Sequence, residues 1–214
     1  MTATRPDATA QPSGSTGARD LLLATAERLI GERGLEVSLR EIAVAAGQRN
    51  NSAVHYHFGT RDALVEAVVE LRQQALEQER LERLVQLDAD GGTDLHSLVE
   101  VLVAPAFHTP YAMGATHYAR FLEKVRDHPA LESSALESRQ WPATKMLIGR
   151  MAKALDDLPP RLVELRLRSM MSAMFALLAD AERQLERAGR RPKAAAAAPV
   201  VDMLVGMLTA PQAP

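Results

Sequence analysis

The chain has 214 residues, 47% of them hydrophobic and only 4% aromatic, with a formal charge of −2 and no cysteine. That length and apolar content allow a large buried core, and the Ala- and Leu-rich, aromatic-poor balance favours packed helices over sheets. The missing cysteines exclude disulfides, thiolate zinc sites and cysteine nucleophiles, and the near-neutral charge confines any nucleic-acid surface to a local patch.

Residues 1–17 are polar and rich in Pro, Gly, Ser and Thr, without the apolar run of an export signal, and are expected to form a disordered tail. Leu22, Ala26, Leu29 and Ile30 recur at helical spacing ahead of Gly34, which predicts a first helix over 18–33. Ser38 and Glu41 have the spacing of a capping box, in which hydroxyl and carboxylate satisfy opposing free amides. The short helix they open turns Ile42 and Ala46 inward and stops at Gly47. A polar turn, Gln48-Arg49-Asn50-Asn51-Ser52, leads into a third short helix that ends at Phe58. Gly59-Thr60 then supplies a stop and a cap for a long fourth helix with apolar stripes through Leu64, Val68 and Leu71 and through Val65, Val69 and Leu76.

Asp88 to Gly92 is a predicted loop, Thr93 the expected cap of an apolar helix through Val103, and Pro105 and Pro110 the bounds of an irregular piece. Further helices are predicted at about 114–127, 133–156 and 161–188. The last is apolar on two faces, one through Val163, Leu167, Met170, Met174, Leu177 and Ala181, the other through Met171, Phe175 and Leu178. Such a helix is sandwiched within a core or between subunits. A low-complexity linker precedes a final amphipathic helix carrying Val201, Leu204, Val205 and Leu208. The nearly uncharged stretch from Ala194 to Gln212 is interrupted by Asp202 and two prolines and is too weakly apolar to span a bilayer, so a soluble, cytoplasmic protein is expected. No strand periodicity or internal repeat is present, and the fold class is all-α.

The first three helices carry the functional signal. Two short helices joined by a glycine-containing turn and preceded by a supporting helix are the sequence form of a helix-turn-helix, whose second helix presents its N-terminal side chains to a major groove. Here that helix opens with Arg49, Asn50, Asn51 and Ser52, and Arg reads guanine while Asn reads adenine. Arg40, Arg49 and Arg61 fall at or near helix N-termini, where backbone amides also favour phosphate.

Residues 18–65 resemble the DNA-binding domain of the tetracycline-repressor (TetR) family. The resemblance rests on Ser38-Leu-Arg-Glu-Ile42-Ala43-Val-Ala-Ala46-Gly47, on Val54-His-Tyr-His-Phe58 and on Gly59-Thr60-Arg61-Asp-Ala-Leu64. His55 stands where the family usually has Tyr, Arg61 where it has Lys, and the turn from Gly47 to Phe58 is one residue longer. The resemblance implies an N-terminal DNA-binding domain over 18–63 and a helical regulatory and dimerisation domain over 64–210. It implies phosphate contacts from Ser38, Arg40, Tyr56, His57 and Arg61, and base contacts from Arg49, Asn50, Asn51, Ser52 and Ala53, with Val54 and Phe58 in the core. It further implies a repressor that binds a palindromic operator as a homodimer through its last two helices.

The helices beyond the reading head exceed what a dimer seam needs, so an effector cavity is expected among them. Its expected lining is Phe107, Tyr111, His117, Phe121, Trp141, Met146, Met170 and Met174, mostly apolar with a few donors. That lining suits a mid-sized apolar or aromatic compound, with no cofactor and no metal. His55 and His57, two apart on a helix, point to different faces and do not form a metal pair. No nucleophile elbow, dinucleotide fingerprint, phosphate loop or zinc-protease motif occurs, and no catalytic residue is assigned. The alternative is a helical module that binds ligand or protein but not DNA, for which the longer turn is the one sequence hint.

Overall fold

In a computed structural model of the chain, residues 17–48, 53–108, 117–131, 141–189 and 196–211 are described. They form ten α-helices, and no strand occurs among them: α1 (Ala18–Arg33), α2 (Leu39–Ala45), α3 (Ala53–Phe58), α4 (Arg61–Ala89), α5 (Leu95–Val103), α6 (Pro105–His108), α7 (Tyr118–Val125), α8 (Pro142–Lys153), α9 (Pro160–Arg187) and α10 (Ala198–Thr209), with a 3-10 turn at Pro129–Leu131. The expected tail falls outside the described residues apart from its last position.

The helix boundaries follow from local chemistry. Ser38 accepts the Glu41 amide at 3.1 Å while the Glu41 carboxylate accepts the Ser38 amide at 2.8 Å, which completes the predicted box. Gly47 (φ 70°) and Gly59 (φ 73°) end α2 and α3 in the left-handed region that only glycine enters cheaply. Thr60 caps α4 by accepting the Ala63 amide at 3.1 Å.

Three expectations are corrected. The cap of α5 is Asp94, not Thr93. Its carboxylate accepts the Ser97 amide at 3.0 Å and the Ser97 hydroxyl at 2.6 Å, a double acceptance that one threonine hydroxyl could not match. Pro105 opens a helical turn rather than bounding an irregular piece, because its fixed φ suits the first position of a helix. The helix expected at 133–156 begins, within the described residues, at Pro142 for the same reason and ends at Lys153.

Two apolar cores share α4. The first joins α1, α2, α3 and the start of α4 (Leu64, Val65, Val68, Val69) to Tyr118, Phe121, Leu122 and Val125 of α7 and to Trp141. The second joins Leu84 of α4 to α5, α8, α9 and α10. Between them α4 buries charge. The Arg80 guanidinium donates to Gln73 Oε1 (3.0 Å), Glu77 Oε1 (3.2 Å), Thr144 Oγ1 (3.1 Å) and the Leu102 carbonyl (3.1 Å). Glu77 also accepts the Ala143 amide at 2.9 Å and the Thr144 amide at 3.2 Å. One buried ion pair therefore caps the start of α8 and ties it to α4 and α5.

Candidate nucleic-acid interface

The reading head is built so that α3 is anchored on one side and open on the other. Val54 is fully buried and Ala53 is 9% exposed, whereas His55 and His57 are exposed and Tyr56 is 84% exposed. An aromatic ring left in water at that level is held out by the helix phase, since its neighbours fill the core. Tyr56 and His57 meet edge to face at 5.1 Å, and the Arg19 guanidinium sits 5.4 Å from the Phe58 ring centroid, covering that half-buried side chain.

The structure sorts the residues expected to touch DNA. Tyr56 and His57 are open at the end of α3, and Arg40 is exposed on α2. Arg49, Asn50, Asn51 and Ser52 lie outside the described residues. Ala53 was expected to face bases but is turned inward, because the first turn of α3 packs it beside Val54. Ser38 is half-buried and committed to its cap, its hydroxyl donating to Glu41 at 2.7 Å. The Ser38 amide and then its hydroxyl hold the Glu41 carboxyl below its ordinary value, so the cap is formed with Glu41 ionised. Arg61 donates to the Leu35 carbonyl and thereby braces the start of α4 against the turn between α1 and α2.

The expected effector lining is divided. Phe121 and Trp141 belong to the first core, Phe107, Met170 and Met174 to the second, and half-buried Phe175 packs against both. Tyr111 lies outside the described residues. Met146 was expected to line the cavity but is 40% exposed, because Leu147 and Met151 take the inward face of α8. His117 faces α1 rather than the interior, its Nε2 3.7 Å from Glu32, and burial followed by the nearby Arg120 charge pushes its pKa down. No group of three or more metal-ligating side chains occurs among the described residues, and no described helix is long and apolar enough to cross a membrane.

Sequence reasoning missed the buried charges. Gln73, Glu77 and Arg80 sit in phase with the stripe through Val69, Leu76 and Leu84, which was the available signal: polar residues at core positions require buried partners.

Two sequence profiles match the chain. One, described as bacterial regulatory proteins of the tetR family, covers residues 22–68; the other, described as the tetracyclin repressor-like C-terminal domain, covers residues 100–210. The chain belongs to the tetracycline-repressor family. The TetR-family match at the N-terminus spans α2, α3 and the turn between them, so the capped α2 and the open face of α3 are parts of a DNA-binding regulator. A Rhodococcus sp. chain described as a TetR-family transcriptional regulator is 16% identical, with a TM-score of 0.46, over 90% of this chain and 98% of that one. No curated protein matches the chain in sequence.

Proposed function

We propose that this TetR-family regulator is a ligand-responsive repressor that binds a palindromic operator as a homodimer. The carrying observation is the open face of α3, where Tyr56 stands 84% exposed between two exposed imidazoles on a helix otherwise seated in the core. In this reading Tyr56, His57 and Arg40 contact backbone phosphates, Arg49, Asn50, Asn51 and Ser52 meet base edges, and Ser38 and Arg61 set the orientation of α2 and α4. Residues 18–63 are the reading head and 64–210 the regulatory and dimerisation domain.

The dimer seam is assigned to α9 and α10. Leu177, Ala181, Leu185, Val200 and Met203 line an open groove between these helices, and Leu165 and Met207 are exposed on them. A twofold contact through this face repeats the protein's symmetry in two half-sites. The effector is assigned as a mid-sized apolar or aromatic compound bound within the helical domain over 64–210.

The test is a mobility-shift titration of the full chain against the double-stranded DNA flanking its own coding sequence. A salt-sensitive, sequence-selective complex is expected, with log affinity falling linearly against log salt. A chain that bound this DNA no better than random duplex would favour the helical module that reads no operator.

A further inference from the structure

The helix α7 is packed on the reading head and on the regulatory core at once, and two carboxylates, one buried and one half-buried, hold its first turn. Glu27 of α1, 2% exposed, accepts the His117 amide at 2.9 Å and pairs with Arg72 of α4 at 3.3 Å. Glu182 of α9 accepts the Arg120 amide and the Arg120 Nε, each at 3.1 Å, and Glu186 pairs with the Arg120 Nη1 at 2.8 Å. Arg72 also lies over the Tyr118 ring, 5.0 Å from its centroid. The contact with α1 is close enough to depend on a missing side chain. A Cβ on Gly31 would stand 3.1 Å from the His117 carbonyl oxygen and 3.2 Å from the Phe121 amide, both backbone atoms.

We infer that α7 is the strut through which the regulatory core sets the reading head, and that Glu182 is its proton-operated release. The inference rests on the DNA-binding reading above. The groups that face Glu182 are Arg120 from α7, Glu27 from α1 and Glu186 one turn along α9, with His117 and Glu32 at the rim of the same junction. Burial pushes the Glu182 carboxyl up to about 7, against the pull of the Arg120 contacts. A carboxyl raised in the packed arrangement binds its proton more tightly there than in any arrangement that wets it, so a proton favours the packed arrangement. As pH rises through about 7 the ionised Glu182 favours the release of α7 from α9. Glu27 passes that release to α1, and a reading head no longer held at one position pays more ordering cost on DNA.

The experiment uses the full chain and two readouts: affinity for the flanking DNA, and emission of Trp141. That residue is the single tryptophan, 7% exposed and in one core with Tyr118 and Phe121. Wild-type affinity is expected to fall about five-fold or more from about pH 6 to about pH 8, a magnitude usual for allosteric coupling, with Trp141 emission moving in parallel. Glu182→Gln keeps an acceptor for both Arg120 donors but has no charge to gain, and holds both readouts at their low-pH values. Gly31→Ala wedges α7 off α1, which shifts Trp141 emission at every pH and removes the pH response of DNA affinity. Titrations on the reading head itself are common to wild type and Glu182→Gln, so their difference isolates the junction. Equal pH dependence of affinity in the two overturns the inference. If the wild type bound no DNA at any pH, the DNA-binding reading would fail by itself. The strut would then stand on a Trp141 pH response that Glu182→Gln abolishes, and fall if the two curves coincide.

Discussion

Replacing Glu77 by Ala removes three things together: the counter-charge of Arg80, the acceptor for two α8 amides, and the partner of the Thr144 hydroxyl. Arg80 is 5% exposed and burial already holds its guanidinium below its ordinary value, with Glu77 the main opposing influence. Breaking such a pair from one side costs about 3–5 kcal/mol because a buried charge is left uncompensated, and losing a helix cap adds about 1 kcal/mol. For a chain of this size the expected fall in Tm is on the order of 10–15 °C. The assay is urea denaturation followed by circular dichroism at fixed protein concentration, since assembly would otherwise shift the midpoint by mass action. Arg80→Ala and the double variant complete a cycle, in which the double variant is expected to be about 2 kcal/mol less costly than the sum of the singles. Strictly additive costs, or a Glu77→Ala cost below about 1 kcal/mol, would show that the pair does not organise the junction of α4, α5 and α8.

Stability carries a pH signature of its own. Glu182 rises from 4.5 in the unfolded chain to about 7, so its proton stabilises the fold fully below about pH 4.5, and that contribution is lost as pH climbs through about 7. Wild-type melts minus Glu182→Gln melts between about pH 5 and 8 are expected to show this decline, up to about 3 kcal/mol; a rising or flat difference would refute it. Ser38→Ala should cost about 1 kcal/mol through the lost cap and weaken DNA binding only as far as α2 frays, which Tm and affinity measured together will show. Tyr56→Ala should leave the melting temperature unchanged, its side chain being almost wholly in water, while reducing affinity for every DNA sequence. Arg40→Ala should lower the slope of log affinity against log salt by about one without changing sequence preference; a changed preference would place Arg40 on a base edge.

The all-α class, the two glycine stops, the Ser38 capping box and the bounds of α1 were legible because each is fixed within one or two helical turns. Helical periodicity and caps are local properties, and α1 spans its expected 18–33 while α2 runs from the Ser38 cap and stops ahead of Gly47. The errors arose where two local solutions competed, as with Thr93 and Asp94, both able to cap, or where a proline starts a helix instead of stopping one. The phase of α3 was half legible. Its hydrophobic spacing placed Val54 inward and left Tyr56 outward, but a six-residue helix has too few turns to decide Ala53, whose small side chain fits either environment.

Least legible was which apolar residues share a core, because that depends on contacts between helices distant in sequence. Phe121 and Trp141 were grouped with Met170 and Met174 by chemistry, yet the fold gives the first pair to the reading-head core and the second to the distal one. The same long-range pairing explains why Arg120 and Glu182, 62 residues apart, carried no sequence signal. The charges within α4 did carry one. A helix that places Arg72, Gln73, Glu77 and Arg80 on the side of Val69, Leu76 and Leu84 can be stable only if each finds a partner. Beyond the contacts of Arg80 with Gln73 and Glu77 inside α4, the partners come from α1, α5 and α8, so the polar positions on α4 mark where the reading head and the regulatory core are joined to the one helix that runs through both.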